Sequence, residues 1–450
     1  MNTNIFRAYD IRGIYPDEIN AEVAERLGNA TVRFLNGKNI VVGHDGRISS
    51  PELGEAIIKG LIKAGANVFN INLCTTPLFY FSVNKTKADG GIMITASHNP
   101  PEYNGFKIVG PNLRVIYSES GLREIRELSE SDFSASRPGS MKSISALDDY
   151  IDFLLKNSDV TADKLKKIKF VLDTSNGTAP VVLKPLLDKL SLEPIILNAE
   201  IDGNFPNHLP DISRKENLLE LKSKILETGA DIGFAFDGDA DRLTVMDERG
   251  EKIGADFIIG LLFKSKSRWF RKPKVAYDLR FSRSIRDLIG KNGHQSRTGY
   301  PLIRTTMEEF DADLGGELSG HFDFKEMGYA ESAILATLKI LTILASSGKT
   351  VSELIEPFKK YFNSGEINIP ILTINDQRLT TKAIEDKLKE VYRDERISEL
   401  DGVSVEYDDW WFNLRPSNTE PILRLVVEAD SEELMERKKD ELVKIIKTAA

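Results

Sequence analysis

"NIVVGHDGRISSPELGEAIIKGLIKAGANVFNI", residues 39–71, is the stretch on which the reading of the fold turns. An apolar run around Val41 and Val42 stops at the turn "GHDGR", and an amphipathic segment follows in which Ile57, Leu61 and Ile62 share one face. That order predicts a strand, a tight turn and a helix. The same order recurs at "KIKFVLDTSNGTAPVVLKPLLDKL" (167–190) and, more weakly, at "KPKVAYDLRFSRSIRDLIGKNG" (272–293). Strands alternating with helices predict α/β domains with mixed or parallel sheets, here three related ones. Polar, turn-rich breaks and a change of character after "SSGKTVSELIEPFKKYF" divide the chain into 1–145, 146–249, 250–362 and a smaller α+β unit at 363–450.

Composition narrows the function. A chain of 450 residues is too long for one core. With 41% hydrophobic and 29% charged residues it falls in the ordinary soluble class. A net charge of -9 argues against nucleic acid or an anionic membrane as the main partner, while leaving room for a local basic pocket. The single cysteine, Cys74, excludes an intramolecular disulfide and reads as a small core residue. No signal-peptide core opens the chain, and the longest apolar run, "ESAILATLKILTILASSG", is short and interrupted by Lys339. A cytoplasmic protein, monomer or homodimer, is expected.

The strongest chemical signal is "ADIGFAFDGDADRLTVMDERG" (230–250), where Asp237, Asp239 and Asp241 follow a buried apolar strand at alternate positions. Three crowded carboxylates raise one another's pKa unless a cation neutralises them, and an all-oxygen set suits Mg²⁺. An EF-hand loop has the same early spacing, but its sixth position requires Gly where this chain has Arg242, and the flanks read as strands. A phosphatase using a strand-end Asp as nucleophile is the second rival.

Three further clusters carry polar chemistry. "ITASHNPPEYNGFKIVG" (94–110) sets Ser97 beside His98 at a strand end, with Lys107 further on. "DLGGELSGHFDF" offers Glu317, Ser319 and His321, which in an extended loop would point the same way toward sugar hydroxyls; a loop with one buried histidine is an equal reading on these residues alone. "WFNLRPSNTEPILRL" places Arg415, Ser417, Asn418 and Thr419 at a turn suited to a phosphate, although a plain polar turn would also serve. No G-x-S-x-G elbow is present, which disfavours a serine hydrolase.

Taken in order, "FRAYDIRG", "TASHNPPEYNGFKIV", "DTSNG", "FPNHLPDI", "DGDADR", "GGELSGH" and "RPSNTEP" closely resemble the α-D-phosphohexomutase family, in its phosphomannomutase/phosphoglucomutase branch. The resemblance covers essentially the whole chain. It implies a heart-shaped, four-domain molecule: three related α/β domains with mixed sheets and a C-terminal α+β domain. It implies that Ser97 carries a phosphoryl group and that Asp237, Asp239 and Asp241 hold one Mg²⁺ per chain together with a phosphoserine oxygen. His98, Lys107, Arg12, Arg242 and His321 would serve the transfer, with Tyr9 lining the site. Glu317 and Ser319 would hold sugar hydroxyls, and Arg415, Ser417, Asn418 and Thr419 the non-reacting phosphate. The implied reaction interconverts hexose 6- and 1-phosphates through a hexose 1,6-bisphosphate, which is intermediate and activator.

Two positions depart from the family pattern. Arg280 is the nearest equivalent of a lysine, and Tyr300 stands where many relatives carry a histidine that contacts the sugar phosphate. "RAYDIRG", together with Leu318 in place of glutamine, favours mannose and glucose over the runner-up, glucosamine phosphate. A Mg²⁺-dependent sugar phosphatase and a non-catalytic sugar-phosphate sensor are the alternatives from other classes.

Overall fold

The computed structural model describes residues 2–449 except 132, 266–268, 270–272, 371–376, 394 and 418–421. Three of its four sheets are built on one plan. In the first, the strands Gly90–Ile94, Asn39–His44 and Asn67–Leu73 are parallel neighbours, and Tyr103–Val109 runs antiparallel beside Gly90–Ile94. In the second, Ile232–Phe236, Phe170–Asp173 and Ile195–Leu197 are parallel, with Leu243–Asp247 antiparallel on the outside. In the third, Leu314–Gly316, Val275–Asp278 and Gly293–Ser296 repeat the arrangement, with Phe322–Phe324 antiparallel. The expectation of mixed α/β sheets holds three times over.

This shared topology places the chemistry. In each sheet the chain leaves the outer parallel strand, turns, and returns antiparallel. The three turns are "TASHNPPE", "DGDADR" and "ELSGH". Strands such as Gly90–Ile94 and Ile232–Phe236, buried at every residue, read as continuous apolar runs because helices cover both faces. Their ends therefore fall where apolar sequence gives way to Ser, Asp or Glu. The fragment 39–71 forms as read: strand Asn39–His44, helix Ser50–Lys63 with Pro51 in its first turn, then strand Asn67–Leu73.

The fourth sheet is wholly antiparallel, in the order Phe362–Asn363, Ile422–Ala429, Trp410–Pro416, Val403–Glu406, Arg396–Ser398, with Ile367–Pro370 also on Ile422–Ala429. Helices Gln377–Val391 and Glu432–Ala449 complete it. Two strands cross the expected limits. Lys252–Ile253 pairs with Leu243–Asp247 through the tight turn at Asp247–Gly250, so that turn lies within the second sheet and does not end it. Phe362–Asn363 already belongs to the fourth sheet.

One apolar cluster runs through the first three units, from Val41 and Phe79 through Leu154 and Phe234 to Leu314, Leu341 and Phe358. The fourth unit has a core of its own around Trp410, Phe412, Leu425 and Leu442. Among the described residues no single helix is long and apolar enough to cross a membrane. The apolar helix Ala333–Ser347 is buried along most of its length, and Lys339 meets Glu326 at 2.9 Å.

Candidate active site

Ser97 sits just past the strand Gly90–Ile94 with φ 50°, a left-handed backbone that a short polar residue tolerates better than a branched one. The turn is held from below. Arg47, fully buried, donates from Nη1 to the carbonyls of Pro100 (2.7 Å) and Tyr103 (3.0 Å), and from Nη2 to those of Ser97 (2.9 Å) and Asn99 (2.6 Å). Arg12 holds the other side, donating to Asn99 Oδ1 at 2.5 Å and to Ala96 O at 3.2 Å while paired with Asp10 at 2.8 Å. Four carbonyls fixed by one guanidinium leave the Ser97 hydroxyl little choice of position. It donates to Asp237 Oδ2 at 2.7 Å, and His98 Nδ1 lies 3.4 Å from Ser97 Oγ. Burial, reinforced by Arg242 and Arg12, pushes the His98 pKa well below its usual value, so this imidazole is neutral at pH 7.

The acid loop meets that serine edge to edge. A side chain at Gly238 would put its Cβ 2.5 Å from the Ser97 carbonyl oxygen, so only glycine permits the approach. Asp237, Asp239 and Asp241 are all buried and present carboxylate oxygens within 4.8 Å of one another. Asp239 Oδ2 is held by Thr76 Oγ1 (2.6 Å) and Lys107 Nζ (2.8 Å), and the same ammonium reaches Asp241. Asp239 Oδ1 and Asp241 Oδ1 remain buried without a hydrogen-bond partner, a costly state for an anion unless a cation fills the gap. Burial, with Asp241 and Asp239 beside it, pushes Asp237 well above the carboxylate range. Burial acts the same way on Asp241, but Lys107 and His321 overcome it and hold Asp241 well below that range. The donor set is all oxygen, anionic and partly unsatisfied. The triad fits a divalent cation.

The third loop supplies a charged wall. Arg242 Nε donates to His321 Nε2 at 3.0 Å, while His321 Nδ1 faces Glu317 at 3.2 Å and Nε2 lies 3.4 Å from Asp241 Oδ1. Burial lowers the imidazole's pKa, yet Asp241 and Glu317 outweigh it and raise it to about 10. Nε2 can donate to Asp241 or accept from Arg242, so the charge on the triad decides which role His321 takes. The expectation of an extended loop here is corrected. Gly320 N–H donates to Glu317 O at 3.0 Å and closes a tight turn, with Gly320 at φ 98°. Glu317 and His321 come together, whereas Ser319 Oγ is buried without a partner beside Leu243 and Thr244. Tyr300 is buried under the same wall: its ring stands edge-on to His321 and 5.8 Å from Lys107 Nζ, and its hydroxyl donates to Tyr9 O at 3.3 Å. Tyr9 in turn donates to Thr298 O at 2.6 Å.

A basic cluster lies beyond Glu317. Arg280 Nη2 is 3.8 Å from Glu317 Oε1, and its Nε donates to both oxygens of Asp278 at 2.9 and 3.0 Å. Arg415, in the strand Trp410–Pro416, shares Glu366 with Arg280. Ser417 follows, its N–H donating to Ile422 O at 2.9 Å; Asn418 and Thr419 lie outside the described residues. Contacts of a few ångströms thus run from Arg415 through Glu366, Arg280, Glu317, His321 and Asp241 to Lys107, and Asp237 then meets Ser97. Glu366 and Thr76 carry no local signal in the sequence, since each acts only through residues far away in the chain. Arg47 has one: Asp45-x-Arg47 and Asp278-x-Arg280 stand at equivalent strand ends of two repeats.

A buried serine bonded to one of three clustered carboxylates that a lysine bridges, its turn held by two arginines, on strand-end loops of repeated α/β units, defines a phosphoryl-transfer enzyme of the α/β class. Four family models cover the chain in order: phosphoglucomutase/phosphomannomutase α/β/α domains I (3–134), II (148–250) and III (254–361), and the C-terminal domain (372–445). The phosphomannomutase of Methanocaldococcus jannaschii is 39% identical over 98% of this chain and 97% of its own length. The phosphomannomutase/phosphoglucomutase of Pseudomonas syringae is 36% identical over 96% and 93%. A solved phosphoglucomutase/phosphomannomutase family protein from Burkholderia thailandensis superposes with a TM-score of 0.86 at 31% identity, covering 99% of this chain and 97% of that one. The chain belongs to the phosphoglucomutase/phosphomannomutase family.

Proposed function

We propose that the chain interconverts hexose 6-phosphate and hexose 1-phosphate, of mannose and of glucose, in the cytoplasm, with Ser97 as the phosphoryl carrier. The observation that carries this reading is the Ser97 hydroxyl, 2.7 Å from Asp237 on the edge of a partly unsatisfied acid triad. A hydrolase would need a free base to activate that serine: Asp237, which accepts from the hydroxyl, belongs to the triad that would hold the cation, and His98 is 3.4 Å away and hemmed by Arg242 and Arg12. A phosphoserine needs no such base when it donates. It needs a fixed position and neutralised charge, which Arg47, Arg12 and Lys107 favour.

Asp237, Asp239, Asp241 and a phosphoserine oxygen would hold one Mg²⁺, which supplies Lewis-acid polarisation and charge neutralisation when bound. The residues do the rest. The Ser97 Oγ–P bond breaks as the sugar hydroxyl oxygen bonds to phosphorus; the sugar's hydroxyl proton passes to His321, and the serine oxygen, leaving with the bonding electron pair, takes up a proton on the side where His98 Nδ1 lies 3.4 Å away. Glu317 holds His321 through Nδ1, which leaves Nε2, between Asp241 and Arg242, as the atom at which a proton is exchanged. Lys107 and Arg242 flank the transferring group. Glu317 holds sugar hydroxyls, joined by Ser319 once its side chain turns out of the buried position beside Leu243 and Thr244; Tyr9 and Tyr300 close the site, and Arg280, Arg415, Ser417, Asn418 and Thr419 grip the phosphate that is not reacting. The hexose 1,6-bisphosphate then reverses and returns its other phosphoryl to Ser97. One clamp serves both orientations. We divide these duties among units near 1–145, 146–249, 250–362 and 363–450, adjusted for the two strands noted above.

The test is turnover of glucose, mannose and glucosamine 1-phosphates in Mg²⁺ with a trace of hexose 1,6-bisphosphate. Glucose and mannose 1-phosphates should become 6-phosphates without stoichiometric inorganic phosphate. Release of phosphate would indicate a phosphatase, and binding without turnover a sensor; either overturns the proposal.

A further inference from the structure

Glu366 is held by three guanidinium groups. Its Oε2 accepts from Arg280 Nη1 and from Arg415 Nη2 at 3.2 Å, and its Oε1 accepts from Arg424 Nη1 at 2.9 Å. The three cations come together by topology. Arg415 and Arg424 are direct partners across the ladder of Trp410–Pro416 and Ile422–Ala429. Ile367–Pro370, which Glu366 immediately precedes, pairs with the latter strand and sets Asn368 opposite Arg424. Arg280 arrives from the third sheet. Like charges opposed on a ladder repel, and the Arg280 and Arg415 side chains are only 6% and 3% exposed, so water screens them poorly. An anion is required there.

Three carboxylates meet these arginines: Asp278 and Glu317 stand beside Arg280, Glu317 at 3.8 Å, and Glu366 bridges all three cations. A phosphate monoester, of charge about -1.5 to -2 at neutral pH, outweighs a single carboxylate for such a bridge. Asp278 and Glu366 differ in tenure. Asp278 grips Arg280 from a fully buried position through two nitrogens, so Arg280 stays put without Glu366. Glu366 keeps 26% of its side chain exposed, and Arg415 offers it one nitrogen while Arg415 Nε has no hydrogen-bond partner.

We propose that Glu366 is the resident anion of the phosphate clamp, an internal competitor that the sugar's phosphate displaces and that reclaims the arginines when the phosphate leaves. This rests on the reading of the Arg415 loop as a phosphate clamp. A clamp that grips without a competitor would hold the bisphosphate in one orientation. Glu366 therefore weakens the grip to the point where reversal is fast, acting as a positioning residue on the arginines.

The experiment is calorimetric titration of the full chain in Mg²⁺ with inorganic phosphate, beside steady-state kinetics. Glu366→Gln should bind phosphate about tenfold more tightly, on the scale of one charge-assisted contact no longer contested. Its KM for sugar phosphate should fall and kcat should fall with it. Glu366→Asp, which keeps the charge on a shorter arm, should lie between, and it carries the test if the Gln variant fails to fold. Equal or weaker phosphate binding in the substituted proteins overturns the proposal and makes Glu366 a simple anchor of the arginines. If Arg415→Gln leaves phosphate binding unchanged, the clamp reading fails and this inference falls with it.

Discussion

The joints among the first three units and the joint to the fourth are built from opposite materials. The first three share one apolar cluster, in which Leu154, Phe234, Leu341 and Phe358 are each buried. The fourth unit meets the third through polar groups. Arg283 donates to the carbonyls of Asp408 (2.6 Å), Tyr407 (2.5 Å) and Trp410 (3.3 Å), its N–H donates to Glu428 at 2.8 Å, and Thr298 N–H donates to Asp401 at 3.0 Å. A cavity of about 620 Å³ lies in the same joint, lined by Arg283, Arg286, Arg396, Tyr407 and Trp411. Apolar joints resist relative motion, whereas hydrogen-bonded, water-accessible ones can break and re-form. The division falls where the proposed chemistry needs it: serine, triad and Arg280 lie on the apolar-jointed base, and Arg415 and Ser417 of the clamp lie across the polar joint.

The largest expected effect lies at the base. Asp239→Asn, or removal of divalent cations, should lower turnover about a thousandfold or more, the several kcal/mol expected of a metal site, measured as kcat in the coupled assay. Next comes the apolar joint. Leu154→Ala should cost about 2–5 kcal/mol of unfolding free energy, read by denaturant titration, with the first three units losing stability together. A separate early transition for one of them would break the comparison. The polar joint should behave otherwise. Arg283→Ala should raise KM about tenfold, equivalent to about 1.4 kcal/mol, with little change in the denaturation midpoint. A stability loss like that of Leu154→Ala would show that this joint too is rigid.

The smallest effect is a pH dependence within the base. His208 Nε2 lies 3.0 Å from buried Asp173; burial lowers its pKa, but the Asp173 hydrogen bond and charge outweigh this and raise it above the ordinary value. A raised histidine pKa contributes stability below the unfolded value, about 6.5, and that contribution is lost as pH rises through the folded value. The melting-temperature gap between the natural protein and His208→Gln should therefore be widest at pH 5 to 6 and narrow toward pH 9. A gap that widened with pH would contradict this assignment.

Much of this was legible in the chain. Motifs such as "DGDADR" and "TASHNP" stood out because strand-end loops concentrate polar residues immediately after apolar runs, and the three repeats carry them at one topological position. What escaped depended on distant partners. Glu366, in an unremarked "SGEINIP", acquires meaning only when two strands bring Arg415 and Arg424 beside it. The 317–321 loop reads as extended in the sequence because the Leu243 carbonyl, which leaves no room for a Cβ at Gly320, comes from another unit. The turn at 247–250 looked like a boundary because a hairpin turn and a domain break have the same local composition.

The account rests on Ser97 as a carrier. The direct measurement is the intact mass of the protein after exposure to hexose 1,6-bisphosphate in Mg²⁺, followed by a chase with hexose 6-phosphate. It predicts one added phosphoryl group, located on Ser97, absent from Ser97→Ala, and recovered in the chase on the sugar. A protein that turns over sugar phosphate with Ser97 never phosphorylated, or whose phosphoryl group passes to water, would contradict it.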